Sequence, residues 1–393
     1  MKRYTVYIPY HQKLNELCDF VFQTANALLL KGYVVKMILF DYAYFFGDPY
    51  ARENFSIEFK KLLKHPQFSV IRPLVQITPR NGLRRLHKLN QEVFFQLVIK
   101  KLDRSKNNIL WVYWPEDIDL VKCVKKQNKN TLCVYDCVDN FTSVNLELDQ
   151  VIKHQENSLI KISDHVFVNS SSLYSLKKVV RKDLVIVPQG FDQSSFKDRF
   201  KRESMGSVQF LKNIPHPIVG YCGSFTYRID YELLYGLISK MPNISFVFIG
   251  PVKIFPYEQE ENKTRGLIRK LGSFHNSYVL PAFKNKSEMA CVLDYFDIGM
   301  IPYDTNLEFN RYSYPMKLFE YFCMGKPVIS TPIEELKRFT KYVKIGSTAK
   351  EWERQIETIL FNHWTKKSQE GQRTLAKANS WEKKVEKILS FID

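Results

Sequence analysis

No stretch of this chain approaches the roughly 18 uncharged apolar residues of a membrane-spanning helix, so none is expected. The opening residues, MKRYTVYIPYH, lack a signal peptide's apolar core and small-residue cleavage site and run straight into a strand pattern. A cytoplasmic protein is the expectation. Cysteine is scattered: Cys18, Cys123, Cys133, Cys137, Cys222, Cys291 and Cys323 form no CxxC pair, and most lie in apolar runs. Neither a disulfide framework nor a zinc site fits those spacings. The eight histidines contain no HExxH or HxH, so no protein-bound metal is expected. The dinucleotide fingerprint GxGxxG is absent, and CMGKP is no P-loop, because the first glycine of GxxxxGK falls at Glu320. RNP, KH, helix-turn-helix and zinc-finger patterns are also missing, which argues against nucleic acid.

What is present is a 393-residue chain, 45% hydrophobic and 14% aromatic, enough for two domains with large cores. Its net charge of +17 calls for an acidic partner. Between Arg72 and Lys106 stand nine basic residues (Arg72, Arg80, Arg84, Arg85, Lys88, Lys100, Lys101, Arg104, Lys106) against Glu92 and Asp103, with Lys60, Lys61 and Lys64 just before. Leu83, Leu86, Leu89, Val93, Phe94, Phe95, Leu97 and Val98 interleave with them at helical spacing. Region 60–106 therefore suits an anionic membrane surface, or else is an amphipathic helix whose charges only aid solubility.

Strand and helix patterns alternate, which predicts a parallel α/β fold. RYTVYIPY, VVKMILF, ILWVYW, TLCVYDCV, HVFVNS and LVIVPQG read as buried strands, and NELCDFVFQTANALLLKGY as a helix ending at Gly32. Polar residues from about 195 to 213 read as a linker. A second alternation follows: PIVGYCGSF, a helix from Asp230 to Lys240, ISFVFIGP, a helix around 264–271, SYVLPAF, a helix from Lys286, IGMIPY, a helix in YPMKLFEYFCMG, KPVIS, and a helix from Ala349 to about Asn362. After a breaker-rich stretch the chain ends in one amphipathic helix, SWEKKVEKILSFI. The expected architecture is two Rossmann-like domains facing across a cleft. Ligands are expected at the strand ends that face it.

Within the second half, Pro315 is placed at the first helical position, where its missing N–H costs nothing. Lys317 in the first turn opposes the helix dipole unless an anion sits there. Glu320 stands among Phe319, Tyr321 and Phe322, where a carboxylate can hold vicinal hydroxyls; otherwise the two are a surface pair. In GYCGSFTYRID, Gly223 lets a phosphate or another backbone approach, and Arg228 can hold phosphate oxygens; otherwise the glycine makes a turn. VYDCVDNF puts Asp136 and Asp139 at a strand end, where a carboxylate can accept a proton from a hydroxyl nucleophile. Asp139 can equally cap a helix. His11, after the first strand, can also reach the cleft.

PYDTN…YPMKLFEYFCMGKPVIST, preceded by GYCGSF…RIDYELL and VFIGP, resembles the donor half of GT-B glycosyltransferases. QTANALLLKGYVV and DHVFVNSSSLYSLKKVVRKDLVIVPQGFDQSSF resemble their acceptor half. The most similar types are bacterial enzymes of surface-polysaccharide assembly: teichuronic-acid-type transferases and the membrane-associated xanthan glucuronosyltransferase. The resemblance implies an acceptor domain of residues 1–205 completed by a terminal helix, 380–393, and a donor domain of 206–379. It implies that Gly223, Ser224 and Phe225 lie against the donor diphosphate within reach of Arg228. Tyr303 then borders the nucleotide, Met316 and Lys317 contact the diphosphate, Glu320 binds the ribose hydroxyls, and the VLPAF strand end around Pro281 meets the base. Asp139 matches the general base of the xanthan-type enzyme.

Retaining relatives carry a glutamate eight residues before the Glu320 equivalent. Here that position is Tyr312, which favours inversion with Asp139 as base. The implied reaction moves a sugar from a nucleoside-diphosphate sugar, UDP being commonest, to a lipid-linked glycan at the inner membrane face, with no cofactor and no metal. A nucleotide-sugar 2-epimerase of the same architecture and a noncatalytic assembly partner are the alternatives.

Overall fold

Strands covered on both faces can be apolar along their whole length, and the short apolar runs form two such sheets. The computed structural model describes residues 4–11, 20–40, 55–73, 84–103, 107–141, 149–196, 206–252, 261–282, 287–362 and 364–392. The first sheet contains β1 (Thr5–Tyr10), β2 (Val34–Leu39), β3 (Phe68–Ile71), β4 (Asn108–Val112), β5 (Thr131–Cys137), β6 (His165–Val168) and β7 (Val185–Ile186). Its order is β3-β2-β1-β4-β5-β6-β7, with parallel pairings. The second contains β8 (Ile218–Cys222), β9 (Ser245–Ile249), β10 (Ser277–Leu280), β11 (Ile298–Ile301), β12 (Val328–Ser330) and β13 (Val343–Ile345), also parallel, in the order β10-β9-β8-β11-β12-β13. In each sheet the order reverses beside the first strand, between β1 and β4 and between β8 and β11. Those are the switch points where α/β folds bind ligands, at the carboxyl ends of the strands.

The chain divides into Met1–Pro188 with Trp381–Asp393, and Gln189–Ser380. The division thus falls after Pro188, not after 205. Part of the expected linker belongs to the second unit: Phe196 and Leu211 within it, and Phe191 and Ile214 at its flanks, are buried in that unit's core. Residues 197–205 lie outside the described residues. The breaker-rich stretch before the last helix is itself a helix, Lys366–Ala378, started by the Thr365 hydroxyl accepting from the Ser368 amide. Gly371 fits within it because a Cβ there would overlap the Tyr342 hydroxyl.

The helix Trp381–Leu389 packs against the helix Phe20–Leu30 of the first unit. Lys384 lies 2.9 Å from Asp136 on β5, both side chains fully buried. Asp136 is therefore a fastening for the terminal helix and not the solvent-facing strand-end carboxylate expected from sequence. Burial pushes its carboxyl above the usual range against the pull of Lys384. Removing one partner of a buried pair strands the other charge. Asp136→Ala is expected to destabilise the first unit by roughly 3–5 kcal/mol, and Asp136→Ala with Lys384→Met by much less. Calorimetric unfolding of both variants tests this, and equal losses would refute the pairing.

Candidate active site

At the second unit's switch point, the turn after β8 is fastened to the turn after β9. The Gly223 amide donates to Ile249 O (2.8 Å) and the Phe225 amide to Pro251 O (2.8 Å). Phe225 is buried in the core, so its side chain and its amide are both committed to packing. It is not the diphosphate contact expected from sequence. Ser224, between them and half-exposed, accepts the Tyr221 hydroxyl at its carbonyl (2.9 Å).

The helix Lys317–Met324 begins two residues later than expected: Pro315 precedes the N-cap, Met316, which offers no side-chain cap. The Leu318 and Phe319 amides turn back to Pro315 O (3.2 Å) and Met316 O (3.0 Å), so at this helix start only the Met316 and Lys317 amides are open to an acceptor. The helix ends at Gly325, whose φ of 71° is left-handed and whose amide returns to Phe322 O and Tyr321 O. Lys317 runs from the first position back across Gly223, where a Cβ would overlap its Cε and Nζ. A side chain at position 223 would displace the end of Lys317.

Lys317 Nζ sits 5.4 Å from the Tyr221 ring centre and 5.9 Å from that of Tyr303. Arg228 Cζ lies 5.0 Å from the Tyr303 ring centre and 4.3 Å from that of Phe309. Asn310, fully buried, holds Arg228 in place: Arg228 Nε donates to its Oδ1 (2.7 Å), and its Nδ2 donates to Arg228 O (2.9 Å) and Asp304 O (2.8 Å). Burial pushes the Lys317 ammonium down, but Tyr303, Tyr221 and Glu320 overcome it and hold the pKa well above normal. Burial pushes the Tyr303 phenol up, and Lys317 with Arg228 pull it below its ordinary value. Two cations thus share one aromatic wall beside uncapped helix amides, an arrangement suited to a diphosphate.

Glu320 stands one turn further along the helix, half-buried. Its charge adds to burial in pushing the Cys222 thiol up to about 12. Pro281 is exposed at the carboxyl end of the edge strand β10, with β9 between it and β8. The structure therefore brings Gly223, Ser224, Arg228, Tyr303 and Lys317 together. Met316 and Glu320 lie on the same helix, and Pro281 is further along the same sheet edge.

The first unit's switch point carries His11. Its Nε2 is 2.7 Å from Asp117 Oδ1 and its Nδ1 3.3 Å from Glu116 Oε1. Phe40 stacks on the imidazole at 4.5 Å, and Trp114 meets it edge-on at 5.2 Å. Asp117 follows β4 in the turn Pro115–Asp117 and is fully buried. Burial pushes the His11 pKa down, but Asp117 and then Glu116 outweigh it, and the net direction is up.

Asp139, half-buried, follows β5 in a loop pinned on both sides. Asn169 donates to Val138 O, and Lys177 donates to Asn140 (3.3 Å) and to buried Glu156 (2.6 Å), which also accepts from the Tyr135 hydroxyl (2.9 Å). Sequence reading missed Asp117, Tyr221, Phe309 and Asn310. Asp117 had a usable signal, since WPED follows an apolar strand as VDNF does. Among the described residues, no group of three His, Cys, Asp or Glu side chains is placed to hold a metal ion.

No protein-family model matches the chain. It is 22% identical over 280 residues to a Bacillus subtilis (strain 168) protein provisionally assigned as a teichuronic acid biosynthesis glycosyltransferase. That match covers 66% of each protein, just under two thirds of the relative's length. Among solved structures, sucrose-phosphate synthase from Thermosynechococcus elongatus superposes with a TM-score of 0.73 at 16% identity, covering 99% of this chain and 98% of that one. Anabaena HepE in complex with UDP and glucose gives 0.70 at 12% identity, with 98% of each chain covered. The two Rossmann-like units are those of the GT-B glycosyltransferase fold.

Proposed function

We propose that this GT-B chain is a glycosyltransferase that moves a sugar from a UDP-sugar to a hydroxyl of a lipid-linked glycan, in assembly of a surface polysaccharide at the inner membrane face. The observation that carries it is the pairing of Lys317 and Arg228 on Tyr303 beside an uncapped helix start. Support for UDP comes from the UDP held by Anabaena HepE on the same fold. Basic residues of region 60–106 serve an anionic membrane surface; those at 74–83 and 104–106 lie outside the described residues.

The second unit holds the donor. The Lys317 and Arg228 side chains and the Met316 and Lys317 amides take the diphosphate, Ser224 adds a hydroxyl and an amide, and Glu320 binds the ribose hydroxyls. The first unit supplies the base. His11 is favoured over Asp139 because a buried carboxylate orients its ring. With Nε2–H donated to Asp117, Nδ1 takes the proton from the acceptor hydroxyl once the acceptor displaces the exposed Glu116 carboxylate from it. The acceptor oxygen bonds to the anomeric carbon as the bond to the diphosphate breaks, with inversion. Charge on the leaving diphosphate is met by groups already in place.

The test is thermal shift and donor hydrolysis with UDP-, GDP-, ADP- and dTDP-sugars, comparing wild type with Glu320→Ala. Stabilisation by the UDP-sugar, lost in the variant, is expected. No shift with any nucleotide would overturn the reading, and conversion of the donor to an epimer without acceptor would reassign it to an epimerase.

A further inference from the structure

The helix Arg84–Lys100 carries Phe94, Val98 and Ile99 into the first unit's core. Its outer face is not the polar face that packing leaves on an ordinary surface helix. Leu86, Leu89 and Val93 are 51%, 57% and 62% exposed. At about 100° per residue they fall within roughly 60° of one another, so they form one apolar stripe along the helix. Arg85, Lys88, Lys100 and Lys101 are exposed beside or beyond it, with Glu92 the acidic side chain among them. The helix Ile118–Gln127 packs alongside, joined by a 3.6 Å contact from Gln96 to Cys123, and adds exposed Lys126.

We infer that this stripe is the surface by which the first unit enters an anionic lipid bilayer, Leu86, Leu89 and Val93 dipping among the acyl chains while the flanking cations meet the headgroups. This rests on the membrane reading proposed above and assigns it to one helix face. Charge decides the occupant: an apolar stripe bordered by cations complements a surface that is apolar inside and anionic outside. A lipid anchor needs two signals to hold, and both are on this helix.

The test is co-sedimentation of the full chain with vesicles of phosphatidylglycerol in phosphatidylcholine, and with phosphatidylcholine alone. Wild type is expected to bind the mixed vesicles and to bind pure phosphatidylcholine far more weakly. Leu86→Ser/Leu89→Ser/Val93→Ser should weaken binding roughly tenfold or more, while Arg85→Gln/Lys88→Gln should weaken it and flatten its salt dependence. Exposed positions leave the fold intact, and the ligand-free thermal melt of the triple variant, followed by circular dichroism, checks this independently of the donor reading. Equal vesicle binding by wild type and triple variant would overturn the proposal. So would self-association of wild type, without lipid, that the triple variant abolishes, since the stripe would then be an interface between copies.

Discussion

Lys317→Ala is expected to lower kcat/KM for the donor sugar by roughly 10²–10³-fold and to abolish stabilisation by the nucleotide. The size follows from position. Lys317 lies beside two phenols and a half-buried carboxylate that keep it fully charged, and in the proposed site that charge faces the leaving diphosphate. Lys317→Arg should not rescue it. The lysine stem fills the space above Gly223, and a broader planar head on a different stem cannot take the same path. Gly223→Ala should imitate the loss from the other side by displacing Lys317 Cε. Steady-state kinetics with calorimetric UDP binding decides the matter. Wild-type turnover and binding in Lys317→Ala would move the diphosphate elsewhere.

A second large effect is expected at His11. A general base must be unprotonated, so kcat/KM rises with pH through its pKa. Asp117 and Glu116 hold that pKa above the ordinary histidine value of 6.5, which places the acid limb of the profile above that value. Asp117→Asn removes the buried charge that favours the imidazolium. The limb should move to lower pH, and kcat should fall by roughly 10²–10⁴-fold as orientation and charge stabilisation are lost. His11→Gln should be at least as slow and should lose the limb. Asp139→Asn should leave the limb in place. The reverse pattern, with Asp139→Asn inactive and His11→Gln active, would return the base to Asp139.

Much of the architecture was legible because a parallel strand buried on both faces is apolar along its length. That signal marked β1 and β2 and every strand from β4 to β12. It failed for β3 and β13, which lie at sheet edges, where Ser69 and Lys344 are not covered on both sides. The candidate site was legible where chemistry is local: a lysine and a glutamate one turn apart, and a glycine after a strand. It was illegible where a role depends on distant chain. Asn310 looks like any loop asparagine until Arg228, 82 residues away, is seen bonded to it. Asp136 and Asp139 share a motif, yet Lys384, 248 residues on, makes one of them structural. Phe225 was misassigned because proximity to a ligand turn does not reveal which way a side chain packs.

The fastening of Lys384 to Asp136 also dictates an order of events during synthesis. Gln189–Ser380 is one uninterrupted segment and can close its core as soon as it emerges. Met1–Pro188 emerges earlier but lacks the helix Trp381–Leu389, so Asp136 stays without its cation until Lys384 has left the ribosome. The unit made first is therefore the one finished last, and its unsealed core is the part of the nascent protein that chaperones must shield.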